Sequence, residues 1–357
     1  MVRPEIIRDT ATELLCRCGV PPGDADITSR VLIAAELRDI PSHGILRLSD
    51  YIHMLEAGRI NQNPRPVAEQ RTLSTFTLDG DNGLGPVVAS EAMNLAVSGA
   101  EKAGTAWVAV RNSNHFGIAG YYSMLALDHD MIGISMCNAN PLVAPTFSSE
   151  GMLGTNPLAV AVPAGEEAPL VADFATASIA RGKVDLLDRK GLAINEGFVQ
   201  DEYGRPSREP GVLKNGGSIL PLGSTREYGS HKGYCMAAII DILSALLPGA
   251  NFGPFVPPSV PWLQVKPELP GKGTGHFFGA MRIDAFIGAE DFKKSMDMWI
   301  RTMRAARPAE GQKGVIIPGE PERLAEERNT RDGIMLQDKV VEQLRDLCTR
   351  YKVECPL

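Results

Sequence analysis

The sequence predicts an α/β protein with a mainly helical N-terminal region, and three observations carry that expectation. Apolar residues in the first sixty positions repeat at helical spacing. Further on, short apolar runs alternate with helical segments, the pattern of a sheet covered by helices. At 357 residues the chain exceeds one ordinary core, so two domains are expected.

Taken in order, Ile7, Ala11, Leu14 and Cys18 mark a first helix, stopped by Gly19 and Pro21-Pro22. A second helix is expected from about Asp26 to Arg38, with Ile27, Val31 and Ala34 on one face, closed by Pro41. Ser42 is a suitable N-cap for a third, ending at Gly58. Buried strands are expected at Ala106–Val110, Met131–Met136, Leu158–Val162, Leu170–Ala172 and Gly275–Ile283. Between them, helices are expected at Ser90–Lys102, Tyr121–Asp128 and Ala177–Asp188. The apolar stretch Tyr234–Leu247 contains Asp241, is too short to span a bilayer, and reads as a buried helix. Residues 248–275, rich in Pro and Gly, read as an irregular excursion. The tail from Asp291 reads as largely helical, broken at Val315–Gly319.

Composition narrows the function. Lys and Arg number 36 against 43 Asp and Glu, a net charge of −7, with no basic cluster interleaved with aromatics. That excludes an evident nucleic-acid groove and leaves any anion site to a few local positive groups. The first residues lack the apolar run of a signal peptide, and the six cysteines form no CxxC pair with matching histidines. Reduced buried thiols, no metal and a cytoplasmic setting are therefore expected.

Five segments can carry chemistry. In Ser42-His43-Gly44-Ile45-Leu46-Arg47-Leu48-Ser49-Asp50-Tyr51, a helix starting at Ser42 would place His43, Arg47 and Tyr51 on one stripe. Imidazole, guanidinium and phenol there suit a carboxylate clamp with a proton donor, although spacing alone favours an ordinary solvated face. Arg111-Asn112-Ser113-Asn114-His115-Phe116-Gly117 follows a predicted strand, where α/β proteins place functional groups. His115 reads equally as an acid/base or as a helix cap. Gly154-Thr155-Asn156-Pro157 and Asp173-Phe174-Ala175-Thr176 flank a pair of strands and, unaided, read as a turn and a cap. Gly229-Ser230-His231-Lys232-Gly233-Tyr234 opens the apolar helix, where free N–H groups and an ammonium suit an anion. It is not a P-loop, and no G-x-G-x-x-G occurs anywhere: Gly83-Leu84-Gly85 continues as Pro86-Val87-Val88. A dinucleotide enzyme with this sequence needs a non-Rossmann cofactor site.

With these segments in order, joined by Leu78-Asp79-Gly80-Asp81-Asn82-Gly83 and Gly275-His276-Phe277-Phe278, the chain resembles the non-Rossmann malate/L-lactate dehydrogenase family nearly end to end. Sulfolactate, ureidoglycolate and diketogulonate oxidoreductases and a cyclic imine reductase belong to that family. The resemblance implies a homodimer and an unusual α/β cofactor domain with a mixed sheet, about residues 76–284. It also implies a helical domain built from residues 1–75 and 285–357. By resemblance, His43 and His115 are the acid/base candidates and Arg47 with Tyr51 holds a small carboxylate substrate. Cofactor contacts are implied at Asn138 and Ala139, at Asp173, Phe174 and Ala175, at Lys232 and Gly233, and at Pro318, Gly319 and Glu320. Many relatives carry Ser at the position of Ala139, where this chain has no hydroxyl to offer, and Gly at the position of Cys235. Residues 254–273 match least.

The expected reaction is hydride transfer between a 2-hydroxy acid and NAD or NADP, with NAD slightly favoured. His115 is preferred as proton carrier, because a strand-end loop beside the nicotinamide fixes an imidazole more rigidly than a helix start. His53, His129, His231 and His276 are expected to be surface, cap or packing residues. Two other readings use the same scaffold: a reductase of a cyclic imino acid and a non-catalytic binding protein. The latter has no need of two histidines beside Arg47.

Overall fold

The computed structural model describes residues 1–356. Three helices open the chain: α1 (Pro4–Arg17), α2 (Pro22–Leu37) and α3 (Leu46–Glu56). Prolines at the starts of α1 and α2 sit where a missing N–H costs nothing. Two strands follow, β1 (Val67–Gln70) and β2 (Thr75–Asp79), then α4 (Gly85–Ala103), β3 (Thr105–Ser113), α5 (Ala119–Leu125) and β4 (Met131–Cys137). Next come β5 (Leu158–Val162), β6 (Leu170–Phe174) and α6 (Arg181–Arg189). Three two-residue strands, β7 (Val199–Gln200), β8 (Pro206–Ser207) and β9 (Ser218–Ile219), form a small separate sheet. The chain ends with α7 (Ser230–Asp241), β10 (Thr274–Arg282), α8 (Ala289–Arg304), α9 (Glu320–Asp332) and α10 (Asp338–Tyr351).

Seven strands make one mixed sheet in the order β1-β2-β3-β10-β4-β5-β6. Only β2 and β3 run parallel, joined by α4; every other neighbouring pair is antiparallel. This is not the parallel sheet of a Rossmann domain, in keeping with the missing glycine fingerprint. At its centre, β10 is buried along seven of its nine residues, which is why it reads as one continuous apolar run. A π-helical turn, Ile242–Leu246, continues α7 and crosses over β10 so closely that a Cβ on Gly275 would lie 1.7 Å from the Ser244 carbonyl. Only glycine fits there.

Two cores organise the molecule. One joins Ile7, Leu14, Leu32, Ile45, Leu48 and Ile52 from the first three helices to Ile334, Val340, Leu344 and Leu347 near the C-terminus. The other packs Val88, Ala92, Met93 and Ala96 of α4 and Tyr122 of α5 against Val108, Val110, Phe278 and Ala280 of the sheet. The chain's two ends thus share a helical core beside the sheet, while β1 pairs with β2 in the sheet.

Four sequence expectations need correction. The third helix begins at Leu46; Pro41–His43 forms a 3₁₀ turn, so His43 precedes the helix carrying Arg47 and Tyr51. Pro41 and Gly44 account for this, since both interrupt regular helix. Helix α6 starts at Arg181, not at Ala177, because Ala177 is held in a bridge to Pro221. The Tyr234–Leu247 segment is helical but not buried in the single chain. Ile239, Ile242, Leu246 and Leu247 are each at least half exposed. Cys235 on that helix is exposed as well, so the expectation of uniformly buried thiols fails there. No helix among the described residues is long and apolar enough to cross a membrane.

Candidate active site

Helix α3 and the loop after β3 meet at the junction of the two cores, and the candidate catalytic side chains meet with them. Tyr51 sits on the buried side of α3, and its hydroxyl lies 2.8 Å from His115 Nδ1 and 3.3 Å from the His115 carbonyl. The His43 ring stacks on His115, with centroids 5.4 Å apart and planes 19° from parallel. Arg47 stands one helical turn before Tyr51 and is anchored twice. Its Nε donates to the Ser42 carbonyl at 2.8 Å, and its Nη1 to Asp50 Oδ2 at 3.0 Å. Those bonds leave Nη2 and one Nη1 hydrogen of the guanidinium for a ligand. The four residues that the sequence groups around a carboxylate are therefore together.

The loop that carries His115 is rigid for identifiable reasons. Phe116 stacks on Tyr122 (5.0 Å) and on His276 (4.8 Å, planes 1° apart), and the Tyr122 hydroxyl donates to the Phe116 carbonyl. Buried His276 has Nε2 2.7 Å from the Ser113 hydroxyl, while its Nδ1 has no hydrogen-bond partner. It packs behind the site.

Charge in this cleft is tightly constrained. Burial, reinforced by Arg47, pulls the His43 imidazole down to about 4. Burial lowers His115 well below the usual imidazole range, and Arg47, His43 and His276 push the same way. Two imidazolium charges 5.4 Å apart would repel by about 3 kcal/mol at an effective dielectric constant near 20, so double protonation is excluded at neutral pH. Both rings are neutral there. A phenol can accept from His115 Nδ1–H while donating to the His115 carbonyl. That arrangement leaves Nε2 a lone pair and persists after Nε2 takes a proton. The Gly117 amide, 3.4 Å from Nδ1, is the longer competing contact.

A second group of expected residues collects at the nearby ends of β4 and β6. Asp173 and Phe174 are exposed along this edge, with the Asp173 carboxyl turned inward so that Oδ2 accepts from the Gly120 amide at 2.7 Å. Burial of that carboxyl raises it to about 6, against the hydrogen bond. Thr176 bonds Thr155 (2.9 Å), Leu222 bonds Thr176 (2.8 Å), and the Pro318 carbonyl accepts from Val171 (3.3 Å). These links, with Leu222 packed directly on Gly233, bring Ala175 and the start of α7 together and set Pro318-Gly319 beside β6. Lys232 is exposed and forms no ion pair among the described residues. This ammonium and the exposed Phe174 ring suit a phosphate-bearing cofactor with a flat ring, whereas the Gly229, Ser230 and Lys232 amides, expected to be free, already donate to the Arg226, Thr225 and Gly229 carbonyls.

Asn138 differs from its neighbours. It is fully buried, with Nδ2 donating to Asp241 and to the Asn251 carbonyl, and Oδ1 accepting from Gly275. Ala139 is fixed through its amide to Asn156 Oδ1 at 3.1 Å. Glu320 is also engaged, accepting from the Ile317 amide and from Arg304. No three-residue cluster among the described residues is arranged to hold a metal ion.

An α/β fold with a mostly antiparallel sheet that brings a histidine pair beside an arginine suits an oxidoreductase of non-Rossmann type. The sequence profile described as malate/L-lactate dehydrogenase matches residues 2–345, and the chain belongs to that family. It is 40% identical to a malate dehydrogenase of Pyrococcus abyssi over 96% of this chain and 92% of that one. The solved structure of sulfolactate dehydrogenase from Methanocaldococcus jannaschii is similar at a TM-score of 0.89 and 38% identity, covering 99% of this chain and 98% of that one. A Δ1-piperideine-2-carboxylate reductase structure from Pseudomonas syringae is similar at 0.84 and 26% identity, over 97% and 99% of the two chains.

The Tyr51 contact yields a prediction. Tyr51→Phe should lower kcat by about 10–100-fold, the worth of one hydrogen bond to a group that becomes charged, with little change in substrate KM. A rise in KM at constant kcat would instead make Tyr51 a substrate-holding residue.

Proposed function

We propose that this protein transfers a hydride between a nicotinamide cofactor and the C2 carbon of a small 2-hydroxy acid, with His115 as proton carrier. The carrying observation is the convergence of His43, His115, Tyr51 and Arg47 on one cleft. When bound, the nicotinamide supplies the hydride acceptor. The free donors of Arg47 hold the substrate carboxylate and so fix which face of C2 is presented. His115 Nε2 takes the hydroxyl proton as the 2-oxo acid forms, and Tyr51 keeps the ring oriented. His43, stacked on His115, flanks the substrate. Asp173, Phe174, Ala175, Lys232, Gly233, Pro318 and Gly319 line the cofactor cleft, Ala139 contributes backbone, and Asn138 and Glu320 act as struts rather than direct contacts.

The substrate's charge has a mechanistic use. A carboxylate on Arg47 offsets the positive charge that depresses both imidazoles, so substrate binding raises the affinity of His115 for the proton it must take. Malate and sulfolactate, for which two relatives are named, each carry a second anionic group. We therefore place oxaloacetate ahead of pyruvate among candidate oxidants. The direct test is oxidation of NADH and of NADPH in the presence of oxaloacetate, pyruvate and Δ1-piperideine-2-carboxylate. Turnover of a 2-oxo acid is expected, and the preferred coenzyme follows from the same assay. Turnover of the imine alone would transfer the chain to the imino-acid reductases, and no turnover would leave it a binding protein.

A homodimer is part of this proposal. The open apolar face of Ile239, Ile242, Leu246 and Leu247 is larger than a lone surface residue requires, and a second copy would cover it. Light scattering should give twice the 38.4 kDa chain mass; a monomer at micromolar concentration would contradict this.

The histidine assignment is tested kinetically. His115→Ala should lower kcat by about 10²–10⁴-fold, whereas His43→Ala should act more through KM. In the oxidative direction, kcat/KM, which reports the free enzyme, should fall only as pH drops well below 6.5, because the base stays neutral until then. That acidic limb should vanish in His115→Ala; survival there and loss in His43→Ala would make His43 the proton carrier.

A further inference from the structure

Glu36 lies in the last turn of α2 and is 6% exposed, yet its carboxylate faces no cation. Burial raises it to about 7, against a hydrogen bond from the Ile45 amide to Oε1 at 2.8 Å. A buried carboxylate without a charge partner is a poor choice for stability alone. Its location gives the reason. The Ile45 amide belongs to the turn that presents His43 and leads into Arg47, and a Cβ on Gly44 would lie only 2.2 Å from the same oxygen. Gly44 has φ −88° and ψ −145°, outside the regions open to residues with a side chain, so its glycine answers to the backbone as well as to the Glu36 carboxylate pressed against it.

Glu36 is itself held from behind. Asn329 Nδ2, on α9, donates to the Glu36 carbonyl (3.4 Å), the Leu37 carbonyl (2.9 Å) and Asp39 Oδ1 (2.9 Å). Arg38 adds an ion pair to Glu326 of α9 at 2.6 Å. Helix α9 fixes the end of α2, and the end of α2 fixes the turn.

We infer that Glu36 is a positioning residue for the reaction, which through the Ile45 amide and the space above Gly44 holds His43 against His115. The inference rests on the proposed role of the histidine pair. It does not require Glu36 to touch substrate or cofactor; the carboxylate sets where the imidazole and the start of the arginine helix stand. A displacement of about 1 Å in such a group costs on the order of 10²-fold in rate.

The test compares Glu36→Ala, Glu36→Gln, Gly44→Ala and the Glu36→Ala/Gly44→Ala pair in the full chain, by reduction of the best 2-oxo acid, NADH Kd and thermal midpoint. Glu36→Ala should lower kcat/KM about 10-fold or more with NADH Kd unchanged. Glu36→Gln keeps an acceptor of the same shape and should restore activity to within about 3-fold. Gly44→Ala should be impaired alone, and the double variant should lose less than the product of the single losses, because removal of the carboxylate makes room for the methyl group. Wild-type kinetics in Glu36→Ala, no rescue by Gln, or multiplicative losses in the pair would each overturn the inference. If any variant fails to fold, the remaining comparisons decide the question on the same terms. His43→Ala with both kcat and KM at wild-type values would instead remove the reading of the site itself, so the two failures are distinguishable.

Discussion

One fixed positive charge within reach of two half-buried imidazoles constrains the rest of this site. Burial lowers the proton affinity of His43 and of His115, and Arg47 works in the same direction. A ring kept neutral in this way is a ready base for a hydroxyl proton, and it stays ready only while it is dry and correctly turned. Tyr51 does the turning, the Phe116–His276–Tyr122 cluster keeps the loop stiff, and Asp50 with the Ser42 carbonyl keeps Arg47 in place. The substrate's own carboxylate then relieves the constraint when it arrives, which links recognition to proton transfer by a charge that only the correct class of ligand carries.

The fold exists around that cleft in two parts. Terminal helices from both ends of the chain build one core and carry His43, Arg47 and Tyr51; the sheet and its covering helices build the other and carry His115. From His115 the chain runs five residues to Gly120, whose amide binds Asp173 in the second cleft. The histidine pair and the edge proposed to face the cofactor are therefore joined by one short, well-packed segment. A mostly antiparallel sheet places these loop ends side by side without a glycine-rich turn, so the absent fingerprint reflects a different scaffold rather than a missing function.

Much of this is legible in the sequence, and the limits have physical causes. Strands β3, β4, β5, β6 and β10 are readable because each contains an apolar run near Gly, Pro, Asn or Asp, although β6 is the edge strand and only Val171 of it is buried. Strand β1 is not, since all four of its residues are exposed, and β7 to β9 are too short to show a period. The spacing of Arg47 and Tyr51 shows a shared helical stripe, but the partner of Tyr51 lies 64 residues away on another element. No local pattern can reveal that contact, and the family resemblance assigns Tyr51 to the substrate. Glu36 is hidden for a related reason: in sequence it is one acid near a helix end, and only its burial against Gly44 and Ile45 marks it. The open face of α7 shows the converse limit, because apolar character predicts burial without saying against what.

If burial and Arg47 together hold the imidazoles neutral and a substrate carboxylate reverses the Arg47 share, anion binding is coupled to protonation. That coupling is tested most directly by calorimetric binding of a non-reacting dicarboxylate analogue, such as oxalate, to the NAD-loaded protein near pH 6. Comparing buffers of different ionisation enthalpy gives the number of protons bound. The expected result is net proton uptake on binding, because an imidazole far below its usual range in the empty cleft returns toward it when the anion pairs with Arg47. Binding with no proton uptake, or with proton release, would contradict this account of the site.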